Sequence, residues 1–194
     1  MSDQNQDGFR IDTLAIHGGQ SHEPVTGAVM TPVFQTSTYA QPHPGVGDWE
    51  YSRTHNPTRT ALQACIASLE GGKHGVCFSS GMAAIDTVIR TLRPGAQVLC
   101  GDDVYGGTYR LFTREWANYG LKFIFADTSK GDVVVPEGTD LVWIESPPNP
   151  LLKTTDISAL AEKAHAVGAK VVVDNTFATP ICQRPLELGA DIVV

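Results

Sequence analysis

Short apolar segments alternate with helical patterns from about residue 57 to the end of the chain. The segments with strand character are GVCFS, AQVLCG, LKFIFA, DLVWIE, KVVVD and ADIVV. Stretches with apolar residues on one helical face separate most of them, whereas the turn-rich DTSKGDVVVPEGT lies between LKFIFA and DLVWIE. Because strands joined through helices make right-handed crossovers, this alternation predicts an α/β fold with a mainly parallel sheet and helices on both faces.

The start of the chain has a different composition and pattern. Residues 12–56 are rich in Pro, Gly, Thr and Gln and show no sustained apolar period. Pro57 suits the first turn of a helix that ends at Gly71. We therefore predict an N-terminal arm over residues 1–56, with a disordered tail over residues 1–11, followed by a large domain over residues 57–194 that is incomplete at its C-terminus.

The charge balance and the cysteine pattern argue against several classes of function. The formal net charge is −7 and Lys and Arg form no cluster, so a nucleic-acid surface is not expected. No apolar run approaches the roughly 20 residues of a membrane span, and the polar start MSDQNQDGFR is unlike a targeting peptide. The four cysteines and six histidines show neither CxxC nor HExxH spacing. We therefore expect reduced thiols, no metal site and a cytoplasmic protein.

Polar or small residues follow four of the predicted strands, at the point where each strand ends. In chain order they are Ser79, Ser80, Gly81, Met82, Asp102, Asp103, Tyr105, Gly106, Gly107, Glu145, Ser146, Asn149, Asp174, Asn175 and Thr176. Because the carboxyl ends of parallel strands meet at one edge of a sheet, we predict that these residues line a single crevice there.

Each of these residues also has a purely structural interpretation. Ser80 before a helix can be an N-cap, and Tyr105 can anchor its loop. Glu145 can be a surface acid, and Asn149 can satisfy backbone groups between two prolines. Asp174 is harder to explain in this way, because a carboxylate at the end of a buried strand costs several kcal/mol unless it is paired. A helix-capping role for Asp174 stays open.

The chemistry of this set favours one class of cofactor. No GxGxxG or GxxxxGK[ST] motif is present, so dinucleotide and P-loop sites lack their phosphate loop. Small residues before a helix can hold an anion, an aromatic ring can stack on a flat ligand, and an acid can pair with a protonated ring nitrogen. Pyridoxal 5′-phosphate, a planar phosphorylated pyridine, meets all three requirements. A nucleotide-dependent α/β enzyme is the alternative if the protein binds a dinucleotide.

Eight motifs occur in the order of a known enzyme family. They are LAIHGGQ, GAVMTPVFQTSTY, YSRTHNPTR, FSSGMAAI, DDVYGGTYR, WIESPPNP, VVVDNTFATP and QRPLELGADIVV. From about residue 12 onward the sequence resembles the trans-sulfuration family of pyridoxal phosphate enzymes, which includes cystathionine γ-lyase and cystathionine γ-synthase. The resemblance implies the large domain of the type I pyridoxal phosphate fold and a sulfur amino acid as substrate.

The resemblance also implies roles for single residues. Asp174, beside Thr176, pairs with the pyridine nitrogen, and Tyr105 stacks on the ring and helps to move protons at the substrate. The implied cofactor-binding residues in this part of the chain are Ser80, Gly81, Met82, Tyr105, Asn149, Asp174 and Thr176, with Glu145 near the ring.

Tyr51 and Arg53 of the YSR motif are implied to reach the phosphate of a neighbouring subunit. Such sharing implies a homodimer at least, and a homotetramer is usual in the family. Neither a metal ion nor a nucleic acid or membrane partner is implied.

Among the family's activities, we expect γ-elimination from cystathionine, which gives cysteine, 2-oxobutanoate and ammonia. γ-Replacement on an activated homoserine ester is the first alternative, followed by methionine γ-lyase or β-lyase activity. Gly106 stands where methionine γ-lyases tend to carry a cysteine, which disfavours that activity. The family's Schiff-base lysine lies a few residues beyond the GADIVV motif, so we expect this chain alone to lack it. A non-catalytic fragment is therefore a further alternative.

Overall fold

A computed structural model describes residues 8–194 of the chain. The chain divides into two compact units, one ending at Cys77 and the other formed by Phe78–Val194. The predicted tail lies outside the described residues as far as residue 7, and Ile11 already begins a helix. The boundary between arm and large domain at residue 56 stays a prediction. No helix within residues 8–194 has the length and apolar character needed to cross a membrane.

Within residues 8–77, the first unit contains two α-helices, α1 (Ile11–His17) and α2 (Pro57–Glu70), which pack against each other. The sequence did not predict α1, because seven residues are too few to show a sustained apolar period. α2 begins at Pro57 as predicted. Asn56 is its N-cap, and Gly71, with φ 71°, ends it in the left-handed conformation that favours glycine.

Residues 78–194 form the second unit, which is built on one parallel sheet with the strand order β2-β1-β3-β4-β5. The strands are β1 (Gln97–Gly101), β2 (Lys122–Ala126), β3 (Leu141–Glu145), β4 (Lys170–Asp174) and β5 (Ile192–Val193). The predicted parallel sheet is confirmed, and the register sets Glu145 beside Asp174 at the ends of neighbouring strands.

One predicted strand is absent. The segment GVCFS, residues 75–79, pairs with no strand in the described part of the chain, and Val76 is 68% exposed. An apolar run becomes a strand only where a neighbouring strand takes up its backbone hydrogen bonds, and the sequence pattern does not reveal such a partner. Ser80 therefore follows an extended segment rather than a strand.

Helices cover both faces of the sheet, as predicted. On one face α5 (Ile157–Ala166) packs on a core that includes Val142. On the other face α3 (Gly81–Arg90) packs on a core that includes Trp143. Adjacent residues of β3 thus enter opposite cores, because successive side chains of a strand point to opposite faces of the sheet.

The connections between the strands carry the remaining helices. After β1 the chain forms α4 (Gly106–Arg110), a π-helical turn (Leu111–Glu115) and a 3-10 turn (Trp116–Tyr119). This run occupies the place of a predicted helix. Between β4 and β5 lie α6 (Thr179–Cys182) and a 3-10 turn (Pro185–Leu188), which the sequence did not predict.

Asp191 ties β5 to β4 at the amino end of the sheet. Its Oδ2 accepts a hydrogen bond from the Val171 N–H at 2.8 Å, and its Oδ1 accepts one from Lys170 Nζ at 2.9 Å. His165 Nε2 lies 2.9 Å from Oδ2. Burial acts to raise the pKa of Asp191, but these hydrogen bonds outweigh burial and lower it. An acid with a lowered pKa stabilises the fold above its ordinary pKa, and this contribution is lost as the pH falls.

We expect Asp191→Asn to lower the free energy of unfolding at neutral pH by roughly 1–3 kcal/mol, because hydrogen bonds to a charged acceptor are lost. The difference from wild type should shrink as the pH falls from about 7 to about 3, because below the ordinary pKa of aspartate, about 3.9, the lowered pKa of Asp191 stabilises the fold progressively less. Urea unfolding of both proteins at the two pH values measures this difference in the free energy of unfolding. Asp132→Asn is the matched control, because Asp132 is exposed and has no side-chain partner in residues 8–194. An Asp191→Asn deficit that is the same at both pH values would contradict this role.

Candidate active site

A cavity of about 380 Å³ lies at the carboxyl edge of the parallel sheet in the second unit. It is lined by the start of α3, by the loops after β1 and β3, and by residues at and after the end of β4. A volume in this range is typical of small-molecule sites. Of the fifteen residues for which the sequence predicts a shared crevice, eight line this cavity: Ser80, Gly81, Met82, Tyr105, Glu145, Asn149, Asp174 and Thr176. The other seven do not line it: Ser79, Asp102, Asp103, Gly106, Gly107, Ser146 and Asn175. The binding roles of the lining residues stay predictions.

The start of α3 faces open space. Ser80 is the N-cap, and its Oγ accepts a hydrogen bond from the Ala83 N–H at 3.1 Å, so the capping interpretation of Ser80 is correct. The amides of Gly81 and Met82 have no acceptor within the helix, as at any helix start. Among the described residues, no atom beyond its chain neighbours and its own helix backbone lies within 4 Å of where a Cβ would stand at Gly81. Free amides beside open space can bind a phosphate.

Asp174 ends β4 with a half-buried carboxylate. Its Oδ1 accepts hydrogen bonds from the Thr176 N–H at 3.1 Å and from Thr176 Oγ1 at 2.5 Å. The next helix, α6, has Ala178 as its N-cap, so the helix-capping interpretation of Asp174 is wrong. Asp174 forms no ion pair in the part of the chain that the structure describes, so its carboxylate is suited to a cationic ligand.

The Tyr105 ring packs against a glycine. A Cβ built at Gly107 would stand 2.3 Å from Tyr105 Cε1 and 2.9 Å from Met82 Sδ. Only a residue without a side chain therefore allows this ring position. Tyr105 is 47% exposed, which leaves part of the ring accessible to a ligand in the cavity.

Glu145 is buried at the end of β3, only 7% exposed, so the surface-acid interpretation is wrong. Its Oε2 accepts a hydrogen bond from the Tyr105 N–H at 2.7 Å, whereas its Oε1 has no hydrogen-bond partner among the described residues. Burial raises the pKa of Glu145 to about 7, and the nearby Asp174 charge also raises it, although the Tyr105 N–H acts in the opposite direction. The Thr108 hydroxyl is near enough to act on the carboxylate but forms no hydrogen bond with it.

Three apolar residues that line the cavity were not predicted. They are Ile85, Pro147 and Phe177. Phe177 is 54% exposed and lies three residues after Asp174 in the same loop. A search for polar residues after strands could not find it, although an exposed aromatic residue beside a predicted site residue was a usable signal. Asn149 lines the cavity, and its side chain makes no hydrogen bond in residues 8–194.

Tyr51 and Arg53 lie in the first unit. Tyr51 forms an antiparallel bridge with Thr38, and the Arg53 guanidinium stands over the Tyr51 ring, 4.9 Å from its centroid. Arg53 has no ion pair among the described residues, so its charge is available to a ligand. Its predicted contact is with another subunit and stays a prediction.

The chain matches the family model described as Cys/Met metabolism PLP-dependent enzyme over residues 12–194. It is 53% identical to a probable cystathionine gamma-synthase of Herpetosiphon aurantiacus over 96% of this chain and 60% of that protein. It is 50% identical to a cystathionine beta-lyase of Coxiella burnetii over 100% of this chain and 51% of that protein.

A solved structure gives the same likeness. The cystathionine gamma-lyase of Lactobacillus plantarum, in complex with L-serine, matches 95% of this chain and 49% of its own chain. The TM-score is 0.90 at 43% sequence identity. The chain thus spans about half to three fifths of the length of these relatives.

We expect Gly107→Ala to displace the Tyr105 ring without unfolding the protein, because the new methyl group meets the end of a side chain that can rotate. Gly106→Ala is the matched control, since a Cβ there meets only the end of the Arg110 side chain at 3.2 Å. Crystal structures of both variants measure the ring position. A Tyr105 ring that keeps its position in Gly107→Ala, or that moves equally in both variants, would show that Gly107 does not set it.

Proposed function

This chain belongs to the family of Cys/Met metabolism PLP-dependent enzymes, and on that premise we propose that the protein containing it cleaves cystathionine by γ-elimination. The products are cysteine, 2-oxobutanoate and ammonia. The fold is the large domain of type I pyridoxal phosphate enzymes, with a parallel sheet covered by helices on both faces. Pyridoxal 5′-phosphate is the family's cofactor.

One observation carries the proposal: a single cavity contains both an open helix start and the Asp174 carboxylate, which forms no ion pair within residues 8–194. A phosphorylated pyridine needs an anion site and an acid for its ring nitrogen, so the residues present fit the cofactor. When bound, pyridoxal 5′-phosphate supplies an electron sink for negative charge that develops at the α-carbon of an amino acid. The amides of Gly81 and Met82, with Ser80, hold the phosphate, and Asp174 keeps the ring nitrogen protonated.

The other residues of the cavity orient these groups. Thr176 fixes the Asp174 carboxylate through its two hydrogen bonds to Oδ1. Tyr105 offers its ring as the stacking surface, and its hydroxyl moves a proton at the substrate. Asn149 contributes a polar edge near the ring.

Shared sites between subunits are also part of this proposal. The Tyr51 and Arg53 side chains form a stacked pair whose charge is unpaired among the described residues, which suits it to the phosphate of a neighbouring subunit. We therefore expect a homodimer with shared sites, assembled further into a tetramer.

A reducing, cytoplasmic location agrees with the cysteines. Cys65, Cys77, Cys100 and Cys182 are all free thiols, and disulfides are rare in reducing compartments. Recovery of the protein in the cytosolic fraction after cell fractionation would support this location, and recovery elsewhere would exclude it.

γ-Replacement on an activated homoserine ester is the second candidate, because the relative with 53% identity carries the name of a γ-synthase. β-Elimination has a similar claim through the relative with 50% identity. γ-Elimination is supported by the solved structure of a γ-lyase, which matches 95% of the chain with a TM-score of 0.90.

We expect the full-length protein, purified with pyridoxal 5′-phosphate, to convert cystathionine into equal amounts of cysteine and 2-oxobutanoate. Chromatographic product analysis distinguishes this from β-elimination, which gives homocysteine and pyruvate. A parallel reaction with an activated homoserine ester and cysteine tests for cystathionine synthesis. Faster synthesis than cleavage would move the assignment to the second candidate, and no turnover of any of these substrates would overturn the proposed function.

We expect Arg53→Ala and Asp174→Asn variants to be weakly active alone and to regain activity when their subunits are mixed. In a mixed dimer one site keeps both side chains, because Asp174 comes from one subunit and Arg53 from the other. Random mixing should therefore restore about a quarter of wild-type activity. Activity that stays at the average of the two separate variants after subunit exchange would argue against sites shared between subunits.

A further inference from the structure

Glu145 connects two neighbouring strands at the edge of the cavity. It ends β3, and its Oε2 accepts the hydrogen bond from the Tyr105 N–H, in the loop that follows β1. Tyr105 also accepts a hydrogen bond at its carbonyl from the Tyr109 N–H at 3.0 Å, which joins it to α4. Among the described contacts, the Glu145 carboxylate is the only side chain that fixes the Tyr105 backbone. Loss of this carboxylate would therefore remove the side-chain hydrogen bond that fixes the Tyr105 N–H.

Within residues 8–194, Glu145 forms no ion pair and no cation is among the groups that shift its pKa. The titratable groups that act on it or lie beside it come from every neighbouring element and are Cys100, Asp102, Asp103, Asp174 and Lys153. Lys153 is the one cation of this group, and it already pairs with Asp102 at 3.1 Å and Asp127 at 3.5 Å. Asp174 lies beside Glu145 on the adjacent strand. A charged Glu145 would thus be a second, unpaired negative charge beside Asp174.

Only one of the two carboxyl oxygens of Glu145 has a hydrogen-bond partner among the described residues, so the other can carry a proton. Oε2 accepts from the Tyr105 N–H, so it acts as the carbonyl-like oxygen in a neutral acid. Oε1 is buried and has no acceptor or donor among the described residues, and the buried Thr108 Oγ1 is also without a partner. A protonated Oε1 could donate a hydrogen bond to the Thr108 hydroxyl, which acts on this carboxyl group, and that bond would satisfy both atoms. A carboxylate could accept from the same hydroxyl, but it would place a second buried negative charge beside Asp174.

We propose that Glu145 is a positioning residue that, as a neutral carboxylic acid, holds Tyr105 over the cavity and leaves Asp174 as the only negatively charged side chain among the described residues that line it. This inference rests on the proposed binding of pyridoxal 5′-phosphate in the cavity. Glu145 contacts the Tyr105 backbone and acts on the ligand through Tyr105. Its proton, rather than its charge, makes the site complementary to a ligand that is itself a phosphate anion.

The pH dependence follows from this assignment. Because burial raises the pKa of Glu145 to about 7, the acid is neutral below that pH and charged above it. The charged form adds a second negative charge beside Asp174, which opposes binding of a phosphate-bearing ligand, so affinity for the cofactor should fall in wild type as the pH rises through about 7. Glutamine has the same shape and stays neutral, so Glu145→Gln should not show this fall.

The experiment measures the dissociation constant for pyridoxal 5′-phosphate by equilibrium dialysis of the full-length protein between about pH 6 and about pH 8.5. At the lower pH we expect Glu145→Gln to bind within about twofold of wild type, and Glu145→Ala to bind about tenfold more weakly. At the higher pH, wild type should bind more weakly than Glu145→Gln. Glu137→Gln is the matched control, because Glu137 is exposed and has no side-chain partner in residues 8–194.

The possible failures are distinguishable. If wild type does not bind the cofactor at all, the proposed function fails and takes this inference with it. If wild type binds but Glu145→Gln is as weak as Glu145→Ala, Glu145 acts as an anion and only this inference is overturned. If Glu145→Ala does not fold, the comparison of wild type with Glu145→Gln across the pH range still decides, because equal pH profiles would overturn the inference.

Discussion

Parallel pairing of the strands decides where the chemical groups of the second unit lie. Because β1 to β5 all run in one direction, the segments after β1, β3 and β4 emerge at the same edge. β1 lies between β2 and β3. The chain passes from β1 to its neighbour β2 and then crosses over β1 to form β3 on the opposite side. A crevice forms at such a switch in strand order. The register between β3 and β4 then sets Glu145 beside Asp174 within that crevice.

The carboxylates at the amino ends and at the carboxyl ends of the strands have different partners. At the amino edge, Asp191 has Lys170 and a backbone N–H as partners, so its charge stabilises the fold. At the carboxyl edge, Asp174 and Glu145 have no cation among the described residues. Two unpaired carboxylates beside each other are unfavourable in a partly buried site. The conflict is relieved if one acid is neutral and the other is paired with a cationic ligand.

Much of this arrangement was predictable from sequence because it depends on local patterns. The strands from β1 onward have clear apolar runs, and Pro57 and Gly71 mark the ends of α2. The strand GVCFS was predicted wrongly, because strand formation depends on a partner elsewhere in the chain. The seven-residue α1 was missed because it is too short to show a period.

The sequence predicted several residues that line the cavity, but it did not predict the burial and charge of these residues. Asp174 was found because it ends an apolar strand, and Tyr105 because it lies in the loop after one; the same search for polar residues overlooked the apolar Phe177. The burial of Glu145 and its bond to the Tyr105 N–H depend on the packing of the loop after β1 onto the end of β3, which no local pattern encodes. The absence of a cation near Glu145 likewise depends on Lys153 pairing with Asp102.

The central claim is that Asp174 meets a protonated pyridine nitrogen at the carboxyl edge of the sheet. Nitrogen-15 NMR of the full-length protein, loaded with pyridoxal 5′-phosphate labelled at the ring nitrogen, tests it most directly. Wild type should show a protonated ring nitrogen at neutral pH, and Asp174→Asn, if folded and loaded, should shift that nitrogen to the unprotonated form. An unprotonated nitrogen in wild type, or a protonated nitrogen that is unchanged in Asp174→Asn, would contradict the claim.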